Sequence, residues 1–317
     1  MPRSSGKPRV RISRRSNPET GNTERPVRHF GRLRALWEHA QAFLTPTDWP
    51  AALAERCGAS PEIAVRQEQI HAAGSLGAAA HLRVAFASDF HAGPLTSDRL
   101  LDRAAATLAS ATPDVLLLGG DFVSIRHHHI HRITERLAEI PAPAGRFAVL
   151  GNHDYWAGAL AVTRALERAG VEVLTNASRR LPPPFDQVTV CGLDDHTTGY
   201  PDAAEAFAGA TAIRLVLMHA PSGLLDIGEH PFTVAFAGHT HGGQIALPNG
   251  YPPYVPHGAL SRRYHAGRFD LPMNRMLLVS RGIGCSSVPV RWNAPAEVHL
   301  CSVHGSEREL ITNPPTA

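Results

Sequence analysis

Residues 82–91 read Leu82-Arg83-Val84-Ala85-Phe86-Ala87-Ser88-Asp89-Phe90-His91, an apolar run broken only by Arg83, followed by a carboxylate and an imidazole two positions apart. A short apolar run of this kind predicts a buried strand over Leu82–Ala87, with Asp89 and His91 presented at its end. The same arrangement recurs four times downstream. Val115–Leu118 precedes Gly119-Gly120-Asp121, and Phe147–Leu150 precedes Gly151-Asn152-His153-Asp154. Ile213–Leu217 precedes Met218-His219-Ala220, and Thr233–Ala237 precedes Gly238-His239-Thr240-His241-Gly242. Packing alone does not explain oxygen and imidazole ligands after five strands in succession.

Between these strands the spacing predicts helices over Ser97–Ala111, with Thr96 or Ser97 as cap, over Ile130–Glu139 and over Ala157–Ala169. Further strands are expected at Val171–Leu174, Val188–Leu193, Met276–Ser280 and Glu297–Val303, with a short helix near Asp202–Phe207. Alternation of strand and helix predicts an α/β fold of mixed sheets covered by helices. The glycine- and proline-rich stretch Leu247–Gly258 reads as an ordered surface loop able to shape a pocket.

Phosphate-ester hydrolysis requires a nucleophile at neutral pH, neutralised phosphoryl oxygens and a protonated leaving oxygen. Two divalent ions about 3.5–4 Å apart supply the first two by sharing a hydroxide and clamping the phosphate. Asp89 and His91 can turn toward one ion, and Asp121, behind two glycines, is the natural bridging carboxylate. Asn152 offers a neutral oxygen, while His153 beside Asp154 fits a general acid and its partner. The expectation is a dinuclear metal site at the carboxyl ends of the strands.

Asp-x-His, Gly-Asp, Gly-Asn-His-Asp, a lone His and Gly-His-x-His, in that order from Leu82 to Val303, resemble the calcineurin-like metallophosphoesterase family. The resemblance implies a four-layer αββα sandwich, two mixed sheets flanked by helices. It implies a first ion on Asp89, His91, Asp121 and His241, and a second on Asp121, Asn152, His219 and His239. It also implies His153 and Asp154 as the acid dyad, with manganese, iron or zinc as the metals. Gly238–Gln244, Val279–Gly284 and Pro289–Arg291 resemble a bacterial branch of membrane-associated phosphodiesterases and UDP-2,3-diacylglucosamine pyrophosphatase-like enzymes. A phosphodiester or pyrophosphate substrate, including a lipid-linked one, is therefore expected. Arg281 and Arg291 are candidate phosphate contacts because a guanidinium fork matches phosphate oxygens, with structural salt bridging the alternative for each.

The remaining features set the organisation. Residues 1–34 carry ten basic side chains against Glu19 and Glu24, net +8, so the rest of the chain is −5 within a total of +3. Residues 1–27 read as a disordered basic tail, 28–80 as an N-terminal helical extension, 81–305 as the metallophosphoesterase domain and 306–317 as a flexible C-terminal tail. Phe30, Leu33, Leu36, Trp37, Ala40, Phe43 and Leu44 recur at helical spacing, which suits either a helix packed on the domain or peripheral contact with an anionic membrane through residues 28–44. Neither a spanning apolar run nor a signal-peptide core is present, and the four cysteines, Cys57, Cys191, Cys285 and Cys301, are widely spaced. A cytoplasmic setting is expected, with peripheral contact at the inner membrane face. The alternative function is a nucleic-acid-binding or scaffold protein that uses the basic tail. No aromatic platform accompanies that tail, so no specific nucleic acid is expected. Adjacent histidines His127-His128-His129 and His131 read as a solvated face or pocket rim, and Asp194 and Asp195 as loop caps or supports for a site histidine.

Overall fold

The computed structural model describes residues 47–57, 62–76, 79, 81–256 and 258–306. The tail at 1–27, the amphipathic stretch at 28–44 and residues 307–317 lie outside the described residues.

Two six-stranded sheets form the molecule. The first contains β1 (Ala64–Ala72), β2 (Leu82–Ala87), β3 (Val115–Leu118), β4 (Gly145–Ala148), β5 (Glu172–Val173) and β12 (Glu297–Gly305), in the order β1-β12-β2-β3-β4-β5. The second contains β6 (Ala177–Arg180), β7 (Val188–Gly192), β8 (Ile213–Leu217), β9 (Val234–Ala237), β10 (Gly267–Leu271) and β11 (Arg275–Val279), in the order β10-β11-β9-β8-β7-β6. Both are mixed: β12 runs antiparallel to β2, and β6 and β10 run antiparallel to their neighbours. The helices are α1 (Trp49–Arg56), α2 (Asp98–Ser110), α3 (His131–Ala138), α4 (Asn152–Arg168), α5 (Ala203–Ala206) and α6 (Leu224–Ile227).

The sheets face each other across a core that includes Val84, Phe86, Leu117 and Phe147 from one and Val190, Leu215, Phe236 and Leu278 from the other. The Phe86 and Phe236 rings meet across it at 5.2 Å. Outward-facing Ala85, Leu116 and Ala148 pack against Leu101, Leu108, Ile133 and Leu166 of α2, α3 and α4. On the opposite side Val216, Ala235 and Leu277 are covered by Ala206, Ile227 and Tyr264. Four layers result, as the resemblance implied. The central parallel strands are covered on both faces, which is why they read as unbroken apolar runs.

Strand register aligns the site. Ala87 pairs with Leu118, Leu118 with Ala148, and Leu217 with Phe236, so the loops after β2, β3, β4, β8 and β9 leave their sheets at the same edge.

Some local expectations change. The third strand ends at Ala148 rather than Leu150, and the following helix starts at Asn152 rather than Ala157. Asn152, His153 and Asp154 therefore occupy the first turn of a helix, not an extended strand end. Gly158, at φ 121°, kinks this helix and hides its beginning from a periodicity reading. The 130–139 segment begins as a 3-10 turn at His127–Ile130 before α3. The core sheet also reaches back beyond His81, because β1 pairs in parallel along its whole length with β12, from Ala64↔Glu297 to Ala72↔Gly305.

Candidate metal centre

Five of the expected ligands sit in loops that turn sharply as they leave their strands. Asp89 (φ 53°), His91 (φ 44°), Asp121 (φ 53°), His239 (φ 70°) and His241 (φ 54°) all adopt the left-handed conformation. Non-glycine residues rarely do so, and such conformations gather where a site over-determines them. Here the turn directs both side chains of Asp-x-His, and both of His-x-His, inward. Gly120, at φ 85°, lets the Asp121 loop lie against the next one, since a Cβ there would stand 2.5 Å from the Gly151 nitrogen.

All seven expected ligands converge. His91 Nε2 lies 3.0 Å from His241 Nε2, and His241 Nε2 lies 3.6 Å from Asp89 Oδ1. On the other side, His219 Nε2 lies 3.1 Å from Asn152 Oδ1 and 3.2 Å from His239 Nδ1. Asp121 Oδ2 is between the two groups, 3.4 Å from both His91 Nε2 and His219 Nε2. Asp89, His91 and His241 thus form one cluster of possible cation ligands and Asp121, His219 and His239 another, with His91, Asp121 and His153 a third group that overlaps both.

Surrounding hydrogen bonds fix these orientations. Both Asp89 oxygens accept from the His239 amide at 3.0 Å, and Oδ2 also accepts from the Ser88 hydroxyl at 2.5 Å. Asp121 Oδ1 accepts from the His153 amide at 2.8 Å, leaving Oδ2 for the shared position. His219 Nδ1 lies 2.8 Å from the Gly119 carbonyl, which turns its Nε2 inward.

Protonation follows the same geometry. Burial holds His91 and His241 well below the usual imidazole range, aided for both by the Arg291 charge. Neutral imidazoles with inward lone pairs are the state that cation binding needs. Burial opposes charge on His219, but the adjacent Asp121 carboxylate outweighs it and raises the imidazole well above its usual range. Burial also raises Asp121, yet His219 and His153 hold it well below the ordinary carboxylate range. Burial lifts Asp89 to about 6. Acidic and imidazole groups of this kind, closely packed around one shared carboxylate, fit divalent cations.

His153 and Asp154 lie beside the cluster, but they are arranged differently from a simple dyad. The His153 Nδ1 is 2.6 Å from the Ser124 carbonyl, which sets the ring. Asp154 accepts from the Phe122 and Val123 amides through Oδ1, at 2.9 and 3.2 Å, and from the Gly151 amide through Oδ2 at 3.0 Å. Its carboxylate ties the Asp121 loop to the first turn of α4. Burial and then the Asp121 charge raise Asp154 to about 8.

The two candidate phosphate arginines are engaged elsewhere. Arg291 is buried and donates to the carbonyls of Gly284, Ala294 and Arg281, with Nη2 also 3.2 Å from His241 Nδ1. Arg281 Nη1 bonds the buried Glu297 carboxylate at 2.6 Å. Neither lines the cavity beside the cluster. That cavity has Asp121, Asn152, His153, His239 and His241 at its base, and Trp156, Thr197, Gln244, Ile245 and Tyr254 among its walls. Gln244 closes the Gly238–Gln244 motif and Tyr254 belongs to the Leu247–Gly258 loop, both noted in the sequence, whereas Trp156, Thr197 and Ile245 carry no metal-ligand signature and were passed over. Asp194 accepts from the Tyr155 hydroxyl and the Tyr200 amide, and Asp195 from Thr197 and Thr198, so both brace a loop. His127, His128 and His131 are exposed and outside the cluster.

Buried carboxylates and imidazoles at the facing strand ends of two stacked sheets define a metallophosphoesterase. The sequence model of the calcineurin-like phosphoesterase family matches residues 82–243, and the chain belongs to this family. Phosphodiesterase YaeI of Escherichia coli is 32% identical, over 70% of this chain and 82% of its own length. Metallophosphoesterase YkuE of Bacillus subtilis is 28% identical, over 67% of this chain and 75% of its own. UDP-2,3-diacylglucosamine pyrophosphatase LpxG of Chlamydia trachomatis is 28% identical, over 69% and 82%. Among solved structures, the NAD nucleotidase NadN of Haemophilus influenzae aligns over 66% of this chain, with a TM-score of 0.42 and 14% identity; the chain spans 46% of that protein. No helix among the described residues is long and apolar enough to cross a membrane.

Proposed function

We propose that the chain hydrolyses a phosphodiester or pyrophosphate bond with two divalent cations of the manganese, iron or zinc kind and His153 as general acid. The observation that carries this reading is the position of Asp121, whose Oδ2 stands 3.4 Å from a histidine of each ligand cluster. One cation is assigned to Asp89, His91, Asp121 and His241, the other to Asp121, Asn152, His219 and His239. Bound there, divalent cations supply a nucleophile at neutral pH and neutralise phosphoryl oxygens.

The chain's own residues do the rest. With Nδ1 on the Ser124 carbonyl, His153 can carry a proton on Nε2 and give it to the leaving oxygen. Asp154 supports this by holding the turn that bears His153 against the Asp121 loop, a positioning role rather than proton transfer. Phosphate contacts come from the cavity base, since Arg281 and Arg291 are committed to Glu297 and to backbone carbonyls. The chlamydial relative's name supports a lipid-linked pyrophosphate as the substrate class. Under this reading the protein works in the cytoplasm and touches the inner membrane face through residues 28–44. Removing those residues and measuring liposome sedimentation tests that contact.

The central test is turnover of bis-p-nitrophenyl phosphate with added manganese. Activity is expected in the parent protein and absent in Asp121→Ala. Undiminished turnover by Asp121→Ala refutes the proposal.

A further inference from the structure

Large apolar side chains are concentrated around the cavity mouth. Ile245 (45% exposed), Leu247 (46%), Tyr251 (49%), Tyr254 (67%), Val288 (42%) and Trp292 (66%) make up half of the strongly exposed large hydrophobics among the described residues. They form one surface. Trp292 donates to the Gln244 carbonyl at 3.0 Å and accepts from Ala246 at 2.8 Å, which places it beside Ile245. Gln244 Nε2 reaches the Val288 carbonyl, and Leu247 donates to the Tyr251 carbonyl at 2.9 Å. Ile245, Tyr254 and Val288 also line the cavity itself, so the apolar surface is continuous with its opening.

From Gln244 to Ala296 six arginines stand against Asp270, of which Arg291 is buried, Arg281 is paired with Glu297, and Arg268 is paired with Glu68 and Asp270. Arg262 and Arg263 are exposed. Their turn joins the apolar collar where the His265 ring meets Tyr251 at 6.2 Å, and Thr240 between the two metal-centre histidines holds the His265 carbonyl at 2.6 Å.

We infer that this collar docks on an anionic lipid surface, with the cavity mouth opening toward the headgroups. The inference rests on the cavity being the reaction site. Exposed apolar area of this extent marks an interaction surface. Tyrosine and tryptophan suit a headgroup boundary, where one end of the ring is wet and the other apolar. The exposed Arg262 and Arg263 add attraction to anionic lipid. Docking in this orientation presents a membrane-borne phosphate directly to the cavity base.

The test is sedimentation of the full chain with phosphatidylglycerol-containing vesicles and with phosphatidylcholine vesicles, compared with a Leu247→Glu, Trp292→Glu variant. Both proteins keep the basic tail, so its contribution cancels. The parent is expected to favour anionic vesicles, and the variant to bind them about tenfold or more weakly. Turnover of soluble bis-p-nitrophenyl phosphate should be unchanged in the variant, which shows that it is folded. A second variant, Arg262→Ala with Arg263→Ala, should lose the preference for anionic vesicles while keeping soluble turnover. Equal sedimentation of parent and both variants, or a parent that ignores vesicles, overturns the inference. Vesicle binding needs no turnover, so an inactive parent counts against the proposed reaction and not against the docking surface.

Discussion

Replacing Gly120 by alanine tests how closely the metal-centre loops must approach. At φ 85° an alanine takes a left-handed conformation, which costs about 1–2 kcal/mol. Its Cβ would also stand 2.5 Å from the Gly151 nitrogen and 2.8 Å from the Leu150 carbonyl carbon. Both neighbours are backbone and cannot rotate away, so about 1–3 kcal/mol of overpacking is added. The expected loss is about 2–5 kcal/mol, together with separation of Asp121 from Asn152. Gly209 is an internal control, because it has φ 69° and no atom within 4 Å of a built Cβ. Gly209→Ala should lose only the conformational part. Urea unfolding of the three proteins, with chelator present, measures both losses, and metal analysis of the purified variants reads the site. Equal destabilisation of Gly120→Ala and Gly209→Ala would show that loop contact contributes nothing and would refute the reasoning.

Three further outcomes are expected. His153→Gln should slow hydrolysis by about 10²–10⁴ for a substrate with a basic leaving group, and by much less for a p-nitrophenyl ester, whose leaving oxygen needs little protonation; equal losses on both substrates would remove His153 from the acid role. Glu297 is held down to about 2 although burial opposes it, because His299 and Arg281 favour its charge. A depressed carboxylate contributes stability above its unfolded value of 4.5 that is lost as pH falls toward 2, here about 3 kcal/mol. The urea stability gap between the parent and Glu297→Gln, with chelator throughout, should therefore narrow as pH falls from about 6 to about 3, and a constant gap would contradict the linkage. Arg291→Met strips a donor from several buried carbonyls and should destabilise by roughly 2–4 kcal/mol while leaving KM for bis-p-nitrophenyl phosphate nearly unchanged. A large rise in KM with normal stability would restore Arg291 as a substrate contact.

The convergence of the candidate ligands was largely legible in the sequence because the segments that carry them follow apolar runs that read as covered strands. Leu82–Ala87 and Ile213–Leu217 coincide with β2 and β8 residue for residue. Strands at the margins carried no such signal. β6 is Ala-Ser-Arg-Arg and β10 Gly-Arg-Phe-Asp-Leu, half exposed and polar, while β1 depends on a partner more than two hundred residues away, at Ala64↔Glu297. Adjacency suggested that Asp154 orients His153. In the first turn of α4, neighbouring residues point in different directions, and three amide donors claim the Asp154 carboxylate. The arginines were open to two readings for a related reason. A guanidinium reads the same whether it faces phosphate or, as with Arg281, a buried glutamate. Left-handed backbone at Asp89, His91, Asp121, His239 and His241 had no sequence signal, since none of these is glycine.

Ligands drawn from both sheets give the cluster a mechanical meaning. Asp89, His91, Asp121 and Asn152 follow strands of the first sheet, and His219, His239 and His241 follow strands of the second. His91 and His241, 3.0 Å apart in space, are 150 residues apart along the chain. A cation held between them would act as a rivet through the sandwich. It could be captured only after the two sheets had docked, which makes cation uptake a marker of the last assembly step. Each tenfold rise in free cation above its dissociation constant would then add about 1.4 kcal/mol per site to the resistance of the sandwich to opening.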